Sequence, residues 1–155
     1  DPITDIEEGK EAIRMKVGVD PNVMILGAQT YRYLKQHPKL IGKVIYSQVG
    51  ILNDQIIKQI FDIPTLIVGR SIKVGDGAID PFEYIWGDVC ILAYVPTSPA
   101  QYEPAFAYTL RKSGYPQADR YEAENRKIEY VRATDINTSM IVGADAGYLI
   151  KNTVA

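Results

Sequence analysis

The sequence predicts an α+β fold in which a mixed α/β part gives way to a β-only part. Three observations carry this. Residues 21–46, PNVMILGAQTYRYLKQHPKLIGKVIY, read as a buried strand, a tight turn, a helix of two to three turns and a second apolar segment. The order strand, helix, strand, with short connections, repeats through the first half up to Gly69. Near residues 111–119, a polar loop, the mixed α/β part gives way to a β-only part.

Thr4 and Glu7 form a Thr-x-x-Glu capping box with Asp5 in the first turn. Ile6, Ala12, Ile13 and Val17 follow at helical spacing and Gly18 suits a left-handed stop, so a helix is expected over 5–16. Glu7, Glu8, Lys10, Glu11 and Arg14 form its solvated face. Asp20-Pro21-Asn22 is a turn, and Val23 to Leu26 reads as a buried strand ending at Gly27. A helix over 28–37 puts Ala28, Tyr31 and Leu34 on one face and ends near His37, because Pro38 cannot continue it. Leu40-Ile41 and Val44-Ile45 pack around Gly42-Lys43, and Gly50 closes this section. Asn53 is placed as an N-cap, with Leu52 and Ile57 as a hydrophobic staple. Ile56, Ile57, Ile60 and Phe61 make the apolar face of that helix, and Pro64 stops it.

Thr65 to Gly69 reads as a buried strand, and residues 73–81, with Gly75-Asp76-Gly77, as a polar loop. Asp88 to Val95 is the most apolar run and is expected as a central strand. Pro96, Pro99 and Pro104 stiffen the following loop. Phe106, Tyr108 and Leu110 alternate with smaller residues as a half-buried strand, and 111–119 is a polar loop. Arg120 to Glu124 and Lys127 to Thr134 read as a charged hairpin around Asn125-Arg126. Met140 to Val142 and Tyr148 to Ile150 read as short strands joined by a turn at 144–147.

A chain of 155 residues makes about one domain and buries roughly 69% of its unfolded surface. The net charge of -2 lacks the basic excess of a dedicated nucleic-acid binder. A single cysteine, Cys90, excludes an internal disulfide and suits a reducing compartment. No apolar run reaches the ~18 residues of a membrane-spanning helix. Asp1-Pro2, without an initiator Met, reads as the interior of a longer chain. Tyrosine, with 11 residues against 3 Phe and 1 Trp, suits half-buried and interface positions.

The residues for chemistry are sparse. One His, one Cys and scattered carboxylates do not make a metal-ligand set, and Glu7-Glu8-Glu11 belongs to a helix. Cys90, inside an apolar strand, is expected to be a buried and inert thiol. His37 is placed at a helix C-terminus, where it interacts with the dipole. Gly75-x-Gly77 and Gly143-x-x-x-Gly147 lack a following capped helix and a Lys-Ser/Thr pair, so they read as turns and not phosphate cradles. Arg120, Arg126, Lys127 and Arg132 interleave with Tyr121 and Tyr130, a composition that binds nucleic acid. Glu122, Glu124 and Glu129 nearly cancel that charge, which favours a salt-bridged strand pair and also suits pairing with another subunit.

Further landmarks carry a family resemblance. They are Pro21-Asn22 with the strand to Gly27, His37-Pro38, Ile45-Tyr46, and Leu66-Ile67-Val68-Gly69-Arg70. Then come Trp86-Gly87, Tyr94-Val95-Pro96, Glu103-Pro104 with Phe106, and Ala144 through Ile150. In this order and spacing, over about 21–155, the chain resembles the C-terminal half of a tailed-phage major capsid protein of the Hong Kong phage type. Herpesvirus shells and non-viral nanocompartments share that fold.

The resemblance implies the phage major capsid protein fold: a mixed sheet with flanking helices as an axial domain, plus a β-rich extension. The axial domain is expected at 3–118 and peripheral-domain strands at 119–155. The family's N-terminal arm, spine helix and extended loop are not found in these residues. The implied function is a structural subunit of an icosahedral phage or prophage shell, self-assembling around DNA, with no enzymatic activity, cofactor or metal. Implied partners are copies of itself in pentamers and hexamers, and scaffold, portal or decoration proteins. DNA contact would be weak and non-specific, and no membrane is involved. The implied location is the virion capsid, assembled in the bacterial cytoplasm. Loops near 70–81, 96–104 and 111–119 would adjust contacts between copies, with Arg70, Tyr102, Tyr115, Arg120 and Tyr121 as contact residues. Two alternatives stand beside this. One is a small hydrolase or transferase with two carboxylates in a cleft. The other is a phage-associated module that binds a different protein.

Overall fold

The computed structural model describes residues 1–45, 53–74, 82–100, 102–123, 125 and 127–153. The chain divides into two compact units, Asp1–Phe106 with Gly143–Ala155, and Ala107–Val142. The Leu52 half of the expected staple, Tyr46, Gly50, Gly75-Asp76-Gly77, Glu124 and Arg126 lie outside the described residues.

In the first unit, helix α1 (Pro2–Val17) begins three residues before the expected position. The capping box at Thr4 is not its start. Asp1 is the cap, accepting from Ile3 N–H, and Pro2 occupies the first turn, where a missing N–H costs nothing. Gly18 ends the helix at φ 79, its N–H bonding Arg14 O, as its left-handed freedom predicts. Strand β1 (Val23–Gly27) leads directly into α2 (Ala28–Gln36). The second apolar segment is itself a helix, α3 (Pro38–Ile45). Pro38 thus ends one helix and opens the next, and His37 O accepts from the N–H groups of Leu40 and Ile41 at 3.1 Å each.

Helix α4 (Asp54–Phe61) is capped by Asn53, whose Oδ1 accepts from Ile56 N–H at 3.0 Å. Asn53→Ala removes that acceptor and is expected to cost about 1 kcal/mol, measured by denaturant melts. Strands β2 (Thr65–Gly69), β3 (Ile72–Val74), β4 (Phe82–Tyr84) and β5 (Val89–Ala93) follow. Four further strands among the described residues build the second unit. A 3-10 turn, Ala144–Ala146, then precedes β10 (Gly147–Lys151).

The main sheet is mixed, in the order β10-β5-β1-β2. β1 and β2 are parallel, joined through α2 to α4, while β5 runs antiparallel to both β1 and β10. Asn22 pins the end of this sheet: its side chain accepts from Val95 N–H at 2.9 Å and donates to Val95 O at 2.6 Å. The register sorts every strand into two faces. Met24, Leu26, Cys90 and Leu92 point to one face and join Ile6, Ile13, Tyr31, Leu34, Leu40, Ile57 and Phe61 in a single core. Leu66, Val68 and Ile150 flank it on the same face. The helical side chains of the core therefore all meet one side of the sheet. β2, expected as a buried strand, is an edge strand with Thr65 and Ile67 exposed.

The second unit holds two antiparallel ribbons. β6 (Ala107–Arg111) pairs with β9 (Asn137–Ile141), and β7 (Gln117–Ala123) with β8 (Ile128–Thr134). The expected strands around 140–142 and 148–150 exist, but they do not pair with each other. β9 returns to β6, and β10 closes the first unit's sheet beside β5.

Candidate assembly surfaces

His37 and Cys90 both line one cavity of about 580 Å³, together with Asp1, Asp5, Thr30 and Thr153. Burial pushes the Cys90 thiol up to about 12, which leaves roughly one thiol in ten thousand ionised at pH 8. His37 Nδ1 is buried with no hydrogen-bond partner among the described residues. Thr30 and Thr153 bond each other through their hydroxyls at 2.7 Å. Of the two carboxylates, Asp1 caps α1 and accepts from Lys39 Nζ at 2.7 Å. Among the described residues no three of His, Cys, Asp and Glu gather as metal ligands. Native protein is expected to label at Cys90 at least about 100-fold more slowly than unfolded protein with a thiol-reactive dye at pH 8.

The exposed surface offers more. β3 and β4 form a two-stranded ribbon with Ile72 opposite Tyr84 and Val74 opposite Phe82. All four side chains share one face and are 52%, 46%, 62% and 70% exposed. On the other face Lys73 pairs with Glu83 at 3.6 Å. Sequence reading placed the start of a polar loop here. The signal was an apolar alternation only three residues long on each side.

The main sheet has an equally apolar outer face, opposite the helices. Across it, register aligns Leu149, Ile91, Ile25 and Ile67 in one row over all four strands. Leu149 and Ile67 are 49% and 47% exposed at its two ends, and Ile25 and Ile91 are half-buried between them. Parts of the rows on either side are covered by the chain itself, where glycines make room for it, while Thr65 and Lys151 stay exposed at the far ends of those rows. A Cβ on Gly147 would lie 2.3 Å from the Phe106 ring, and one on Gly69 would lie 2.6 Å from the Trp86 ring. One on Gly27 would lie 2.2 Å from Gly87 O. The central row is thus the floor of a trough between Phe106 and Trp86-Gly87.

The five expected contact residues do not form one cluster. In the first unit Arg70 is exposed after β2, and Tyr102 is 93% exposed in the proline-rich loop. In the second unit Tyr115 lies half-buried in the turn before β7, with Lys112 Nζ 5.5 Å from its ring centroid. Arg120 and Tyr121 are neighbours on β7 and so face opposite sides of the ribbon. Arg120 pairs with Glu129 at 3.4 Å, and Tyr121 stacks on Tyr130 with centroids 5.1 Å apart. Arg132 grips Asp119 with both ends of its guanidinium, at 3.3 and 2.5 Å. The salt-bridged strand pair expected from the charge alternation is therefore present.

Comparison with known proteins gives this surface a context. The chain is 47% identical over 155 residues to the major capsid protein of Burkholderia phage BcepMu, covering 97% of this chain. Over nearly its whole length the chain is related to a phage major capsid protein. A phage-related protein from Bordetella bronchiseptica RB50, solved by crystallography, superposes with a TM-score of 0.86 at 34% identity over 99% of this chain. The chain spans about half the length of these relatives, 50% of the first and 51% of the second. No protein-family model matches it. The capsid-protein resemblance of the sequence is thus supported by a homologue, and the mixed sheet with helices by the solved structure.

Proposed function

We propose that the chain is part of the structural subunit of an icosahedral phage or prophage shell, with the Hong Kong phage-type capsid fold. The similarity to the BcepMu capsid protein over 97% of the chain carries this reading. A structural role follows, and the inert Cys90 and the capping duty of Asp1 agree with it. In this reading residues 3–118 are the axial domain and 119–155 the strands of the peripheral domain. Copies of the chain are its main partners, in pentamers and hexamers. Scaffold, portal or decoration proteins are the others. A net charge of -2 suits a wall that encloses DNA without gripping it, so DNA binding is expected to be weak and lost in salt. The shell assembles in the bacterial cytoplasm and ends as the virion capsid.

Negative-stain microscopy of the full-length protein tests the reading. Rings or shells are expected, and a monomer at high concentration overturns it. Single alanine substitutions at Arg70, Tyr102, Tyr115, Arg120 and Tyr121 are expected to lower particle yield about tenfold where the residue anchors a contact. Unchanged yield removes that residue from the interface.

A further inference from the structure

We propose that the β3–β4 ribbon of one copy docks, apolar face down, into the Leu149-Ile91-Ile25-Ile67 trough of a neighbouring copy. The proposal rests on the shell-subunit reading and names the contact through which copies meet. A ring of identical subunits needs a heterologous interface, in which each copy offers two different and complementary patches. The first unit carries such a pair. One is a raised ribbon whose face is Ile72, Val74, Phe82 and Tyr84, and the other a recessed row of aliphatic side chains. Neither contains a charge, so neither has to desolvate one on contact. The Lys73–Glu83 pair lies on the back of the ribbon and stays in water.

The dimensions agree. The trough runs across four strands, roughly 14 Å at the usual strand spacing. The ribbon face is two strands wide, and its same-face residues lie roughly 7 Å apart along each strand. Phe106 flanks the row on one side at its β10 end and Trp86-Gly87 on the other side at its β1–β2 end, so an incoming ribbon passes between them along the row, with its strands near perpendicular to those of the sheet. That is one of the two standard sheet-on-sheet packings. Within its own chain the ribbon is not folded onto this row, because its four side chains remain about half exposed or more. A two-stranded ribbon is also marginal alone, and docking supplies the missing cover.

The test is site-directed crosslinking in particles of the full-length protein. Phe82→Cys and Leu149→Cys are combined in one chain in which any cysteine outside these 155 residues is replaced by serine, and buried Cys90 is kept. A short bis-maleimide is expected to give a ladder of covalent dimers, trimers and larger rings on a denaturing gel. Either single variant alone gives monomer. Mixing the two single variants with different tags is expected to give a dimer carrying both. Tyr84→Cys with Ile67→Cys repeats the test at the other end of the row and serves if the first pair does not fold. Particles that form but stay monomeric on the gel with both pairs overturn the contact and leave the shell reading intact. A crosslink within one chain also overturns it. If the unsubstituted protein forms no particles, the shell reading fails and the contact falls with it.

Discussion

Phe61→Ala is expected to destabilise the first unit by about 3–5 kcal/mol, the usual cost of emptying a fully buried aromatic site. Phe61 is completely buried at the end of α4, within the same core as Ile13, Leu26, Ile57 and Leu92. Its backbone O also accepts from Lys10 Nζ at 3.0 Å, tying α4 to α1. Truncation leaves a cavity that helices held at both ends do not collapse to fill. Thermal or denaturant melts read the effect, and a loss below about 1 kcal/mol overturns this account of the core. Phe82→Ala is the matched control. It removes the same side chain from the exposed ribbon, and the isolated chain is expected to change by no more than about 0.5 kcal/mol.

Gly27→Ala is expected to cost about 3 kcal/mol, a fall in Tm of roughly 10 °C. The cause is contact, not backbone conformation. Gly27 has φ -65 and ψ 153, which any residue adopts, but its added Cβ would meet Gly87 O at 2.2 Å. That oxygen cannot retreat freely, because it accepts from Val89 N–H at 2.8 Å at the start of β5. Relief therefore requires breaking the bond or displacing the strand. Gly42→Ala supplies the opposite sign. Gly42 lies within α3 with nothing near its Cβ position, so alanine is expected to stabilise by up to about 1 kcal/mol. If both substitutions shift stability alike, the close approach over the outer face is not what holds Gly27.

The local elements of this protein were largely determined by sequence alone. Asn53 marked a helix start, Gly18 a stop and Pro38 a break, because each acts on the backbone within one turn. The Asp88 to Val95 run specified a central strand, formed by Val89–Ala93, and Cys90 inside it a buried thiol, because its contiguous apolar side chains are driven to the interior. The alternating charges of β7 and β8 likewise announced their salt bridges. Of the expected contact residues, Arg70 and Tyr102 are exposed, and Arg120 and Tyr121 lie on the β7–β8 ribbon.

What the sequence left open depends on partners far along the chain. α3 looked like an apolar segment of undefined type, since eight residues around a glycine and after a proline carry little helical preference of their own. β3 and β4 were too short to show a period, and only their pairing collects four apolar side chains on one face. β9 and β10 looked like neighbours because they follow each other, yet each pairs with a distant strand. The aliphatic row on the outer sheet face is the clearest case. Ile25, Ile67, Ile91 and Leu149 are separated by dozens of positions, and each strand alone shows only alternation. Pairing register brings them into line, while Phe106 and Trp86-Gly87 lie over parts of the rows on either side.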